Sequence, residues 1–189
     1  MRKRDGNIYA LIDLITEIGT NILPDATSEE QMRVGKDVAR FFYLMRSHDT
    51  TFDFDLDLAA RQSDDNPVFY VQYAHARICS VMAKAAEAGF LPDQAQAGLL
   101  VHECELSLIK KVADLPYEVQ RAAADFGVHR IATYTIELAR VYHHFYDACR
   151  VIQSESPDLT RARLALCQAA RNALSAGLAL IGVSAPERM

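Results

Sequence analysis

Asn66-Pro67-Val68-Phe69-Tyr70-Val71-Gln72-Tyr73-Ala74-His75-Ala76-Arg77 opens the stretch whose reading decides the fold. From Asn66-Pro67 onward the hydrophobic pattern is helical, and it stays so to the end of the chain. The spacing predicts helices at about 67–89, 94–112, 117–127, 128–153 and 158–182. Leu91-Pro92-Asp93 and Glu155-Ser156-Pro157 supply turns. Asp93 and Ser156 are N-cap candidates, and Pro157 suits a first helical turn. Leu115-Pro116 breaks the chain between two further helices. No fixed-period repeat or low-complexity tract interrupts the pattern. The expected architecture is an all-α helical bundle.

Upstream of residue 66 the signals are mixed. Ile8, Leu11, Ile12, Leu14, Ile15 and Ile18 form an apolar helical face over 8–18, with Gly19 as a plausible stop. Thr20 to Gln31, with Pro24, Asp25, Ser28, Glu29 and Glu30, reads as a polar connector. The wider segment Thr20–Arg33 is expected to be exposed and mobile. A second helix is expected from about Glu29 or Gly35 to Arg46. Residues 52–58, Phe-Asp-Phe-Asp-Leu-Asp-Leu, alternate strictly, which is the strand signal. With no second alternating run to pair with, the segment reads as an extended connector. Its aspartates Asp53, Asp55 and Asp57 fail the calcium-loop pattern, because Leu58 stands where Gly is needed and Asp64 where Glu is expected.

The 189 residues are 50% hydrophobic and 24% charged, a globular composition that argues against a largely disordered chain. A chain this long can bury roughly 70% of its unfolded surface without a disulfide or metal. No apolar run reaches ~18 residues, so no transmembrane helix and no membrane partner are expected. Met1-Arg2-Lys3-Arg4 is followed by Asp5-Gly6 rather than a signal-peptide core, which points to a cytoplasmic protein. The net charge is −5 and unevenly spread: residues 120–189 hold 8 Arg, no Lys and 6 acidic residues. An Arg-only third fits planar recognition of phosphates or bases, and fits surface ion pairing equally well.

No spacing in the chain assembles a catalytic or metal site. Cys79, Cys104, Cys149 and Cys167 contain no C-x-x-C pair and read as ordinary buried thiols. His102-Glu103 invites a zinc-protease reading, but Leu106 stands where the second His is required. His143 and His144 are adjacent and point about 100° apart on a helix, so one can face a groove but the two do not share a metal. Nucleotide-binding glycine loops and nucleophile elbows are missing.

Three stretches carry the reading further. They are residues 34–58, from Val34-Gly35-Lys36 to Asp57-Leu58; the segment Asn66–Arg77; and Ala162-Arg163-Leu164-Ala165-Leu166 with the terminus Leu180–Met189. Together they resemble arginyl-tRNA synthetase, in that family's order and over nearly the whole chain. Met1-Arg2-Lys3-Arg4 looks like the end of the mobile Lys-Met-Ser-Lys-Ser loop of class I synthetases, with Arg2 where Ser is usual. The resemblance implies a C-terminal fragment cut at that loop, without the upstream His-x-Gly-His signature, nucleotide-binding sheet and arginine pocket. It divides the chain into 1–65, a remnant of the catalytic-domain end, and 66–189, a helical anticodon-binding domain of the type called DALR. The polar residues near 20–33 depart from the family pattern, in which the first helix leads almost directly into a segment like 34–41.

What the resemblance implies for function is an RNA-binding module belonging to a ligase. The intact enzyme would join arginine to its tRNA using ATP and magnesium, while this chain alone would need no cofactor and form no adenylate. The implied partner is the anticodon stem-loop of arginine tRNA, bound by a monomer. Lys3 matches the catalytic lysine of the signature loop and would be inert here. Tyr70 and Ala74 match positions that touch anticodon-loop nucleotides; Tyr146 matches an aromatic that meets the loop, and Met189 a terminal Met beside it. His75 and Arg77 lie near Tyr70 and are candidates for phosphate. Splayed loop bases stack on aromatic faces, and a small Ala one turn from a Tyr would leave a slot. Such stacking needs little positive charge, which suits a net −5. The competing readings are a free-standing protein-interaction module derived from the synthetase and a purely structural helical domain.

Overall fold

A computed structural model describes residues 10–47, 49–51 and 53–189. Within them the chain forms α1 (Leu11–Ile22), α2 (Ser28–Leu44), α3 (Leu56–Ala59), α4 (Pro67–Glu87), a 3-10 helix (Gln94–Leu99), α5 (Glu103–Ala113), α6 (Leu115–Asp125), α7 (His129–Ala148) and α8 (Pro157–Leu180). No strand occurs among the described residues. The all-α architecture expected from the periodicity is the one observed.

Helices α4, α7 and α8 form the centre. Each packs on the other two, α5 closes one side, and α2 reaches both α4 and α7. The core runs without a break from Ile18, Phe41 and Phe42 through Val71 and Ile78 to Leu138, Phe145, Leu164 and Leu174. Each such side chain contributes about 1.5–3 kcal/mol by leaving water, which is why the bundle holds without cross-links. All four cysteines are free thiols, and three of them are buried.

Local chemistry fixes the helix ends. Asn66 caps α4: its side chain accepts from the Val68 N–H at 3.1 Å and donates to the carbonyls of Ala59 and Arg61 at 3.0 and 2.9 Å. Pro67 follows at the first helical position, where no N–H is needed. Gly89 (φ 79°) ends α4, with the Phe90 N–H donating to Ala85 and the Gly89 N–H to Ala86. Gly182 (φ 67°) ends α8 in the same way, through Val183 to Leu178 and Gly182 to Ala179. Both are Schellman turns, in which a glycine takes the left-handed conformation that satisfies the last carbonyls. A buried ion pair joins α5 to α8: Arg163 Nε donates to Glu105 Oε1 at 2.7 Å, and Arg163 Nη1 to the Arg150 carbonyl at 2.8 Å.

Several expectations are corrected. Gly19 does not stop the first helix, which continues to Ile22; it lies where α1 and α2 touch. The connector shrinks to residues 23–27, because Thr27 and Glu30 form a capping box that starts α2 at Ser28. Residues 28–33 are therefore helical, not linker. The segment 52–58 is not extended throughout: Asp55 accepts from the Leu58 N–H at 2.9 Å and opens the single turn α3. Phe52 lies outside the described residues. The helix expected over 94–112 is split, since His102 caps a new start at Glu103 through its Nδ1 and the Cys104 N–H at 3.2 Å. The break expected at Leu115-Pro116 is present: α5 ends at Ala113 and α6 starts at Leu115, with Pro116 in its first turn. Ser156 precedes α8 without a side-chain cap; Thr160 Oγ1 instead accepts from the Gln153 N–H and donates to the Gln153 carbonyl, both at 2.9 Å.

Candidate nucleic-acid interface

Two helices build an aromatic surface by register. On α4, Tyr70, Tyr73 and Arg77 fall three and four residues apart and share one face. On α7, His143 and Tyr146 do the same. The two faces interlock. His143 lies 5.1 Å from the Tyr70 ring, tilted, and 5.9 Å from the Tyr73 ring, stacked at 25°. The Arg77 guanidinium sits 4.5 Å from the Tyr146 ring centroid and 5.3 Å from that of Tyr73. Its Nη1 lies 3.4 Å from His143 Nδ1. The result is a continuous strip in which a cation is held between two tyrosines and a histidine.

The strip differs in exposure along its length. Tyr73 is exposed, while Tyr70, Arg77, His143 and Tyr146 are partly buried. Tyr142 lies beneath, fully buried, 6.1 Å from Tyr146, and its hydroxyl makes no hydrogen bond among the described residues. Burial pushes the Tyr142 phenol far above its usual range and raises that of Tyr70 as well, so both stay neutral donors. The same burial, with Arg77 beside it, lowers the pKa of His143; Asp147 and Asp64 act in the opposite sense.

A cleft of about 420 Å³ opens next to Tyr73, with Phe69, Gln72, Asp64 and the terminal Arg188 and Met189 on its walls. Met189 is 58% exposed. The tail that carries it is held by polar contacts from two helices. Gln72 Nε2 donates to the Ser184 carbonyl at 2.9 Å and to Asp37 Oδ2 at 3.4 Å. Ser184 Oγ also donates to Asp37. His75 Nδ1 donates to the Pro186 carbonyl at 2.9 Å. A second cleft, of about 460 Å³, is lined by Tyr146 together with Lys84 and Arg150.

The residues singled out from the sequence are thus distributed unequally. Tyr70, Arg77 and Tyr146 belong to the strip, and Met189 reaches it through the cleft shared with Tyr73. Ala74 corrects the expectation of an open slot: it is 0% exposed, packed into the core beneath the tyrosines. His75 is buried and turned to the tail, not to solvent. Lys3 lies outside the described residues. Tyr73 escaped the sequence reading, although its spacing from Tyr70 and Arg77 places it on their face. Asp37 and Ser184 escaped it too, because their partners lie too far along the chain for any spacing rule.

The described residues thus form an all-helical domain that presents aromatic and guanidinium faces beside a cleft. Residues 71–189 match the DALR anticodon binding domain, and the chain belongs to that family. Over its whole length it is 49% identical to an arginine–tRNA ligase of Heliobacterium modesticaldum and 46% identical to one of Symbiobacterium thermophilum. It spans 32% and 31% of those proteins, about a third of their length. The arginyl-tRNA synthetase of Thermus thermophilus superimposes on the entire chain with a TM-score of 0.76 at 30% identity, again over 33% of that protein. The resemblance to arginyl-tRNA synthetases read from the sequence holds throughout the chain.

Proposed function

We propose that this chain is the part of an arginine–tRNA ligase that grips the anticodon arm of arginine tRNA. The carrying observation is the strip itself: Tyr70, Tyr73, His143 and Tyr146 with Arg77 held among them, continuous with the cleft at Met189. Loop bases splayed from their stack would lie on Tyr73 and Tyr146, with Met189 packing adaptably beside a base in the cleft. Arg77 would meet a phosphate. Ala74 and His75 would act from beneath, Ala74 by letting helices approach and His75 by seating the tail. Activation of arginine with ATP and magnesium belongs to the rest of such an enzyme, working in the cytoplasm, and Lys3 would be inert in this chain alone. The chain would act as a monomer, with the division into 1–65 and 66–189 separating the catalytic-domain end from the RNA-binding part.

Titration of a labelled arginine-tRNA anticodon stem-loop at low salt, against a loop-scrambled hairpin, tests this reading. The authentic loop should bind more tightly. Tyr146→Ala should cost ~1–3 kcal/mol of that affinity by removing a stacking platform. Equal binding of the two hairpins would remove anticodon recognition and leave a protein-docking module in its place.

A further inference from the structure

The contact between Arg77 and His143 has only one consistent protonation state. An arginine side chain has donors and no acceptor. The 3.4 Å approach of Arg77 Nη1 to His143 Nδ1 therefore requires Nδ1 to accept, and a neutral imidazole then carries its proton on Nε2. Nε2 is enclosed and makes no hydrogen bond of normal geometry, although the Tyr70 backbone faces the ring. Protonation would turn Nδ1 into a donor facing a donor, and set two cations against each other.

Among the described residues no carboxylate lies within ion-pair distance of Arg77. Its charge is balanced by the rings of Tyr73 and Tyr146 instead. Around His143, α4 supplies Arg77, Tyr70 and Tyr73, the turn before it supplies Asp64, and α7 itself supplies Tyr142, Tyr146 and Asp147. Cys167 of α8 and Cys79 of α4 lie against Tyr142, and burial raises both thiols, Cys167 to about 12, so neither charges near neutrality.

We propose that His143 is a positioning residue: its neutral Nδ1 fixes the Arg77 guanidinium between Tyr73 and Tyr146, from where its remaining N–H groups meet a backbone phosphate of the RNA loop. The inference rests on the anticodon-arm reading. It makes a counter-intuitive demand. Acid makes a protein's net charge more positive and should in general favour RNA. Through His143, acid should instead release Arg77 and weaken the complex.

The test measures affinity of the 189-residue chain for the arginine anticodon hairpin from pH 7.5 to 5.5 at constant ionic strength. His143→Leu should weaken binding at pH 7.5 roughly tenfold, the lower end of the range for one hydrogen bond to a charged group. His143→Asn, which keeps an acceptor near the Nδ1 position, should recover part of that affinity. Relative to His143→Asn, the wild type should weaken about fivefold on acidification. Loop-specific binding whose pH profile is the same in wild type and His143→Asn would overturn the role of His143 while leaving the anticodon reading intact. Failure to distinguish the authentic from the scrambled hairpin would overturn both. Nitrogen-15 spectra of the imidazole give a check without RNA: Nδ1 should be unprotonated and Nε2 protonated at pH 7.5, and the reverse tautomer would sink the proposal.

Discussion

His143 also bears on stability, separately from RNA. Burial and the Arg77 charge lower its pKa in the folded chain below the ordinary 6.5. Below that value the unfolded chain takes up a proton that the folded chain resists, so the unfolded state binds more protons and stability decreases as the pH is lowered. The contribution is fully present above about 6.5 and is lost as the pH drops toward the folded value. Urea unfolding at pH 7.5, 6.5 and 5.5 should show the wild type losing ground to His143→Asn on acidification. A constant difference between the two would mean that the ring is not held neutral by its surroundings. Ala74 shows where residue-level reading ends. Its size suggested a slot, yet a small side chain is equally what a helix needs where its neighbours press closest. Only the placement of α7 and α8 around α4 decides between the two, and no residue near Ala74 encodes that placement.

The helix pair α1–α2 depends on two glycines at their crossing. A Cβ on Gly19 would stand 2.0 Å from the Gln31 carbonyl oxygen, and one on Gly35 would stand 2.0 Å from that of Ile15. Both obstacles are backbone, so no side chain can swing aside; the helices would have to separate. Gly35→Ala should therefore destabilise the chain by about 1–3 kcal/mol, against the usual gain from replacing a helical glycine. Thermal or urea melts would check this, and a stabilised variant would mean that the crossing opens without cost. The same glycines explain why the pattern misleads in this region. In sequence a glycine after an apolar run resembles a helix stop, and a polar stretch with Pro24 resembles a linker. The long amphipathic segments, α4, α7 and α8, were legible because their periodicity is carried by many residues. The start of α5 was not, and that of α2 was legible only as Glu29 or Gly35, because a His102 cap and a Thr27–Glu30 box are decided by single side chains. The aromatic strip stood between these cases. Tyr70 and Tyr146 came from the resemblance and Arg77 from its nearness to Tyr70, whereas their partnership across two helices needed the packing.

At the scale of the molecule, the C-terminal tail is the clasp between the α1–α2 pair and the central bundle. Asp37 is 3% exposed and Gln72 7%, and both turn to Ser184. Val183, 4% exposed, anchors the start of the tail in the core, and Arg33 reaches Ser184 Oγ at 3.4 Å from the α2 side. A chain ending at Val183 would keep that anchor but strip Asp37, Gln72 and His75 of their tail partners together. Each buried group left unpaired costs ~1–3 kcal/mol, offset in part by water entering the cleft that Asp37 and Gln72 line, while the tie that the tail makes between α2 and α4 is lost outright. Truncation after Val183 should therefore raise amide exchange in α1 and α2 by about tenfold or more, with little change in α7 and α8, which pack through the core. Hydrogen–deuterium exchange followed by mass spectrometry would resolve the two regions. Unchanged exchange in α2 would show that the apolar contact of Phe41 and Phe42 suffices to hold the pair. The expected outcome ties the geometry of the cleft to the clasp, since Met189 and Pro186 line a wall whose opposite side, Arg33 and Val34, belongs to α2. Loosening the tail would thus remove both a wall and the fixed spacing between walls, and the surface beside Tyr73 would lose its shape even with every ring of the strip in place.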